Sequence, residues 1–220
     1  MNPKLNDLHS NYIKYPRTYH VPWSGYIGED DRIQDNLDFF NDEIVVTVKM
    51  DGENTTMYRD YMHARSIDGN AHWTQSWVRQ FHSTIAYNIP IGWRICGENL
   101  FARHSIKYND LQSYFYLFSI WNDKNECLSW DETTEWAELL DIPMVPTIFR
   151  GKWVDKPEKI HNLWTTLYDE SSNEGYVVRS ANKFNYGQFR YKTGKYVRKN
   201  HVTTSSHWKF DKIEQNTLIS

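Results

Sequence analysis

Five residues, Ile44-Val45-Val46-Thr47-Val48, form a β-branched run that ends on Lys49 and leads into Met50-Asp51-Gly52. A short run of this kind, bounded by turn residues, predicts a buried strand. The lysine at its end is the constraint. Burying an ammonium without partners is expensive, so the strand ends either at an exposed charge or at a site that supplies partners. Lys-x-Asp-Gly is too short a pattern to decide between these on its own.

The rest of the chain reads as strands with a few helices. Thr55–Tyr58 and Tyr61–Ser66 predict two further strands turned at Arg59-Asp60, and Ser66-Ile67-Asp68-Gly69-Asn70 is a loop on turn chemistry. Trp73, Trp77, Phe81 and Ile85 recur at four-residue spacing, predicting an amphipathic helix over 73–88 that stops before Pro90. Trp93–Cys96 and Tyr114–Trp121 read as strands. Ser129-Trp130-Asp131-Glu132 is a capping-box pattern opening a helix through Leu140. Asp155 and Pro157 open another helix to about Tyr168, and Gly175–Arg179 and Gly187–Val197 read as late strands. Residues 1–40 are polar and show no period. The expectation is one α+β domain over 41–210, mostly antiparallel strands with flanking helices. An N-terminal extension (1–40) packs on it, and a tail (211–220) completes the chain.

Composition excludes more than it selects. The net charge of −3 gives no general attraction for phosphate backbones, although local clusters matter more than the sum. Aromatics reach 16 %, with 10 Trp and 15 Tyr, which suits a β-rich core and also supplies stacking platforms for bases. The two cysteines, Cys96 and Cys127, form no CxxC pair, so neither a disulfide scaffold nor a cysteine zinc site is expected, and a reducing cytoplasm fits. No histidines form an i, i+4 pair on a predicted helix, which argues against a histidine zinc site. The N-terminus has no signal-peptide core and the longest apolar run, Tyr114–Trp121, is too short to span a membrane. No membrane partner is expected. Asn54-Thr55-Thr56 matches a glycosylation sequon, a coincidence in a chain expected to be cytoplasmic.

Lys49 gains meaning from an ordered set of residues downstream of it. Arg65 ends the strand after the turn, Gly97-Glu98-Asn99 comes directly after a short strand, and Tyr116 and Phe118 lie on an aromatic strand. Glu174-Gly175-Tyr176-Val177-Val178 is a carboxylate leading a β-branched run, and Lys195-Tyr196-Val197-Arg198-Lys199 closes with a basic cluster. This ordered series resembles the covalent nucleotidyltransferase superfamily of ATP-dependent DNA ligases, RNA ligases and mRNA-capping enzymes. Lys-x-Asp-Gly-x-Asn is similar to its RNA-ligase branch. The segment Gly97–Ile106, and the tail through Arg198, His201, Val202, His207 and Trp208, resemble compact bacterial and phage members. The resemblance covers residues 44 to 208 and implies an ATP-grasp-like ligase nucleotidyltransferase domain.

The resemblance implies that Lys49, preceded by Val48, attacks the α-phosphate of ATP and carries AMP as a phosphoramidate. AMP then passes to an RNA 5′-phosphate, and a 3′-OH displaces it. A lysine attacks only when deprotonated, and nearby cations are expected to depress its pKa. Glu98 and Glu174 match the two acidic positions, one for the ribose and one for a divalent metal, Mg²⁺ or Mn²⁺; two carboxylates plus phosphates suffice for Mg²⁺. Arg65 matches a nucleotide contact and Asn54 an active-site position. Phe118 sits where an aromatic ring stacks on adenine, with Tyr116 as fallback; Ser119 stands where many relatives carry Asp. Lys195, Arg198 and Lys199 are the candidates for holding the α-phosphate. Lys195 and Lys199 share a strand parity and Arg198 opposes it, unless the strand bulges.

Only 21 residues lie beyond Lys199, so no OB domain is expected. RNA would then be gripped by Trp-rich segments and by Arg79, Arg94 and Arg103, and an RNA end-healing kinase or phosphatase is the partner such an enzyme calls for. Two alternatives stay open at this point: the same Lys49 chemistry acting on DNA ends or an RNA cap, and a non-catalytic nucleic-acid-binding relative.

Overall fold

The β-branched run forms strand β1, Glu43–Lys49. It lies inside a four-stranded antiparallel sheet of order β10-β8-β1-β7, with β7 at Thr147–Lys152, β8 at Gly175–Ser180 and β10 at Thr193–Val197. Both faces of β1 are covered. Ile44 and Val46 pack with Ile160 and Trp164 of a helix, Ile160–Leu167, while Val45 and Val48 pack with Tyr116 and Trp130 on the other side. Two-sided burial is why the run is continuously apolar instead of alternating. The computed structural model describes residues 12–67, 69, 72–199 and 213–219.

Met50, Asp51 and Gly52 carry the chain from this sheet into a second, six-stranded one of order β3-β2-β4-β5-β6-β9. Its strands are β2 (Glu53–Met57), β3 (Met62–Ala64), β4 (Arg94–Asn99), β5 (Phe115–Trp121), β6 (Glu126–Cys127) and β9 (Phe184–Asn185). Helix α1, Ser76–Ile85, and helix α2, Trp130–Leu139, close its outer face. Val78, Ile85 and Ala137 pack there on Met57, Ile95, Leu117 and Ile120. Helix Ile160–Leu167 is α3. The architecture is therefore α+β, two antiparallel sheets with few helices, as expected. Among the described residues no helix is long and apolar enough to cross a membrane.

Residues 19–26 run along β10 as an added edge. Val21 N–H donates to Lys195 O (2.8 Å), Lys195 N–H to Tyr19 O (2.9 Å) and Tyr26 N–H to Val197 O (3.0 Å). At the other end of the chain, Arg103 N–H donates to Glu214 O at 2.8 Å. Fully buried Asn216 donates to Leu100 O (2.8 Å) and accepts from Tyr108 N–H (2.9 Å).

The elements depart from the sequence reading in instructive places. The capping box is present: Glu132 N–H donates to Ser129 Oγ (3.3 Å), and Ser129 N–H to Glu132 Oε2 (2.9 Å). The predicted helix over 73–88 is helical throughout but in pieces, with 3₁₀ turns at Trp73–Gln75 and Ala86–Asn88 flanking α1. The strand read over Gly187–Val197 is wrong in its first half. Tyr186–Tyr191 is a 3₁₀ turn opened by an Asn185–Gln188 capping box, which lets Phe189 pack on Trp121, and only Thr193–Val197 is extended. Strand β7 was not expected at all. It lies at a sheet edge, half-exposed, and its Thr-Ile-Phe-Arg-Gly-Lys sequence shows no alternation. Tyr61–Ser66 contributes only Met62–Ala64, and Trp93–Cys96 extends through Asn99, so Gly97 and Glu98 are strand residues. Asp68 and Asn70 of the predicted loop, and His201, Val202, His207 and Trp208, lie outside the described residues.

Candidate active site

The crossing from β1 to β2 builds the site. Asp51 accepts three hydrogen bonds on one oxygen, from Ser105 N–H (2.8 Å), Ser105 Oγ (2.6 Å) and Ile106 N–H (2.8 Å). Its own N–H donates to Tyr108 Oη at 3.0 Å. Burial alone would raise this carboxyl, but those donors and Lys49 hold it below its ordinary value. Gly52 allows the crossing to press on β4: a Cβ there would lie 2.5 Å from Asn99 O and 2.8 Å from Leu100 Cδ2. The Asp-Gly pair thus acts as a clamp, one residue anchoring the 103–106 loop and the other admitting close backbone approach. In the sequence Asp51 and Gly52 appear only as part of the Lys49 pattern, and nothing there shows the clamp.

Beside the clamp lies a cavity of about 510 Å³ between the two sheets. Its walls include Lys49 and Val48 of β1, Asn54 of β2, Glu98 of β4, Phe118 of β5, Lys195 of β10 and the exposed Arg65 just after β3. Seven of the expected residues are therefore brought together. Glu174, immediately before β8, joins them through Lys49, whose Nζ stands 2.6 Å from Glu174 Oε2. The register explains the pair, since Lys49 lies opposite Gly175 on the neighbouring strand. Glu98 Oε1 accepts from Gly52 N–H (3.1 Å), and Asn54 is its cross-strand neighbour. Asn54 lines the cavity, and its Oδ1 is buried with no hydrogen-bond partner among the described residues.

Phe118 enters the cavity because β5 bulges. Cys96 pairs with Ser119 and Gly97 with Leu117, so Phe118 is the extra residue. The bulge also brings Ser119 to the cavity wall. Tyr116, the fallback, is instead core: it is buried and accepts from Gln112 N–H at 2.9 Å. Of the three basic candidates, Lys195 lines the cavity. β10 ends at Val197, so strand parity does not reach Lys199, which is exposed. Arg198 is not in the cavity wall; its N–H donates to Glu174 O at 2.9 Å.

The charges at the centre do not match the sequence reading. Burial would depress Lys49, but Glu174, Glu98 and Asp51 outweigh it and raise its pKa. In place of the expected depression, the Lys49 pKa is raised, because the three carboxylates outweigh burial. Glu98 is pushed up to about 8, chiefly by burial and further by Glu174 and Asp51, against the pull of Lys49. Three carboxyl groups, Glu98, Glu174 and Asp51, thus act on the Lys49 ammonium at this centre. Glu98 and Glu174, paired with phosphate oxygens, make the hard oxygen donor set that Mg²⁺ or Mn²⁺ takes, so the residues present fit a divalent ion.

A carboxyl whose native pKa is raised stabilises the fold most below its unfolded value of 4.5, and that contribution is lost as pH rises through about 8. Glu98→Gln keeps the shape without the ionisation. In chelator, its melting temperature relative to the parent should climb by a few degrees between about pH 5 and pH 8.5. A flat or falling difference would contradict the raised pKa.

The cavity also holds residues the sequence did not single out. Tyr15 packs edge-on against Phe118 (5.2 Å, 71°) and Phe189 (5.4 Å, 82°). Buried Arg179 donates to Leu128 O at 2.8 Å and lies over Trp130 and Phe184. Neither had a signal, since Tyr15 falls in an aperiodic segment and Arg179 in an ordinary strand. Among the arginines expected to grip RNA, Arg94 is 1 % exposed with its guanidinium 4.7 Å from the Trp121 ring, which removes it as a contact. Arg103 pairs with Glu214 (2.6 Å) and Arg79 donates to Gln75 (3.0 Å).

Residues 42–197 match the RNA ligase family model. Among solved structures, a putative ATP-dependent DNA ligase from Aquifex aeolicus is 18 % identical with a TM-score of 0.56, the match covering 84 % of this chain and 50 % of that one. An archaeal ATP-dependent RNA ligase is 15 % identical at TM-score 0.54, covering 84 % and 48 %. A Naegleria gruberi RNA ligase mutant solved with ATP and Mn is 19 % identical at TM-score 0.51, covering 86 % and 60 %. These likenesses concern the fold, and the chain spans about half the length of the structures it matches. No curated protein matches the sequence. The family match begins just before β1, ends with β10 and takes in Lys49, Glu98, Phe118, Glu174 and Lys195: the chain belongs to the RNA ligase family.

Proposed function

We propose that this chain is an ATP-dependent RNA ligase that works through a covalent lysyl-AMP on Lys49. The observation that carries the reading is the pairing with Glu174 (2.6 Å) of Lys49, which lines a cavity together with Glu98, Phe118 and Lys195. Lys49 Nζ, once deprotonated, attacks the α-phosphate, a P–N bond forms and pyrophosphate leaves. The 5′-phosphate of an RNA end then displaces Lys49 from the AMP, and a 3′-OH attacks that activated phosphate, releasing AMP and forming the phosphodiester.

Each residue has a task in that sequence. Phe118 stacks on the adenine, Val48 flanks it, and Asn54 and Arg65 contact the sugar and phosphates. Lys195 balances charge that builds on the α-phosphate. Glu98 and Glu174 would hold a divalent ion, which when bound would supply countercharge to the triphosphate and to the carboxylates beside Lys49.

The test is incubation with α-labelled ATP and Mg²⁺ or Mn²⁺, then denaturation. Label that stays on the protein and is released by acid supports a phosphoramidate. Label from GTP and not ATP sinks the reading, as does transfer to 5′-phosphorylated DNA nicks with none to RNA. Phe118→Ala should raise the ATP concentration for half-maximal labelling by about tenfold, the loss of one stacking platform. An unchanged value would move the base to another wall of the cavity.

A further inference from the structure

Lys195 is gripped from a part of the chain that the family match, residues 42–197, leaves out. Residues 19–26 are fastened to β10 by their edge-strand bonds, and Gln34 adds a buried bond from its Nε2 to Thr193 O at 2.8 Å. Ser24 Oγ accepts from Val197 N–H at 3.0 Å. The path from Thr193 to Val197 is thus held on both sides of Lys195. From this segment Asp31 reaches the ammonium: its Oδ1 lies 3.3 Å from Lys195 Nζ. Its other oxygen accepts from Gly28 N–H (3.3 Å) and stands 3.1 Å from His20 Nε2. His20 is 1 % exposed, its Nδ1 lies 2.8 Å from Ser24 Oγ, and burial pushes its pKa down to about 4. Asp31 is therefore seated between a neutral buried ring and the one ammonium on β10 that faces the cavity.

We infer that Asp31 is a positioning residue that holds the Lys195 ammonium in place for the α-phosphate. This rests on the proposed ligase activity. A free lysine samples many rotamers and loses them when it binds. One donor committed to Asp31 fixes the ammonium and leaves two for phosphate oxygens. Burial pulls the Lys195 pKa down, and Asp31 acts against that pull, keeping the charge that the reaction needs. Asp31 touches no reacting atom; it acts through Lys195.

Single-turnover labelling with α-labelled ATP, monitored for hours so that slow variants are counted, tests this in Asp31→Asn, Lys195→Ala and the double variant. Asp31→Asn should lower the labelling rate at saturating ATP by about tenfold, move the half-saturating ATP concentration little, and melt close to the parent. In the Lys195→Ala background the same change should add no loss, because the residue it acts through is gone. Asp31→Asn labelling as fast as the parent or faster overturns the inference, and so does an equal loss in both backgrounds. A parent chain that takes no label instead sinks the ligase reading itself.

Discussion

Lys49→Ala and Lys49→Arg should both lose the covalent nucleotide label, by at least about a thousandfold. Arginine makes the decisive variant. Lys49→Ala leaves Glu174, 6 % exposed, without the ammonium 2.6 Å away, and removing one member of a buried ion pair destabilises the chain as well as the reaction. A guanidinium keeps the positive charge beside Glu174 yet never deprotonates at working pH, so it has no lone pair to offer phosphorus. Lys49→Arg should therefore melt near the parent and still take no label on a denaturing gel. Parental labelling of that variant would place the nucleophile elsewhere, and the other lysine lining the cavity is Lys195.

The second large effect is structural and falls on Gly175. Its φ of +156° lies where L side chains are strained, and a Cβ there would stand 2.0 Å from Tyr196 O and 2.9 Å from the carbonyl carbon. Both obstacles are backbone of β10, so no side chain can swing aside. Gly175→Ala should destabilise by about 3 kcal/mol or more, summing backbone strain and overpacking. In a chain of this size that lowers the melting temperature by roughly 10 °C. The same collision pushes β8 from β10 between Glu174 and Lys195, so labelling should fall with stability. A variant melting within a degree or two of the parent would show that the strands part here at little cost.

Much of the site was legible because its signals are local. A β-branched run ending on Lys49, the Ser129–Glu132 box and a carboxylate leading Gly175-Tyr176-Val177-Val178 each declare themselves within a few residues. What escaped depends on partners far along the chain. Asp51 is clamped by Ser105, 54 residues on, and Asp31 meets Lys195 across 164. Only the resemblance puts Phe118 ahead of Tyr116, since a one-residue bulge opposite Gly97 decides which ring meets the cavity. Arg94 looked like a ligand for RNA because its charge is visible in the sequence, whereas the Trp121 face that shelters it is not. The 3₁₀ turn at Tyr186–Tyr191 hid behind residues that suit a strand equally well.

The three residues between β1 and β2 have a consequence for motion. They are one of two three-residue steps between the sheets, residues 181–183 between β8 and β9 being the other, and the proposed nucleophile is the residue on their near side. Any shear or opening of one sheet on the other is geared directly to the angle at which Lys49 approaches its target. Asp51, with three donors on one oxygen, works as the pin of that gear. Loosening the pin would spoil aim before it weakened grip.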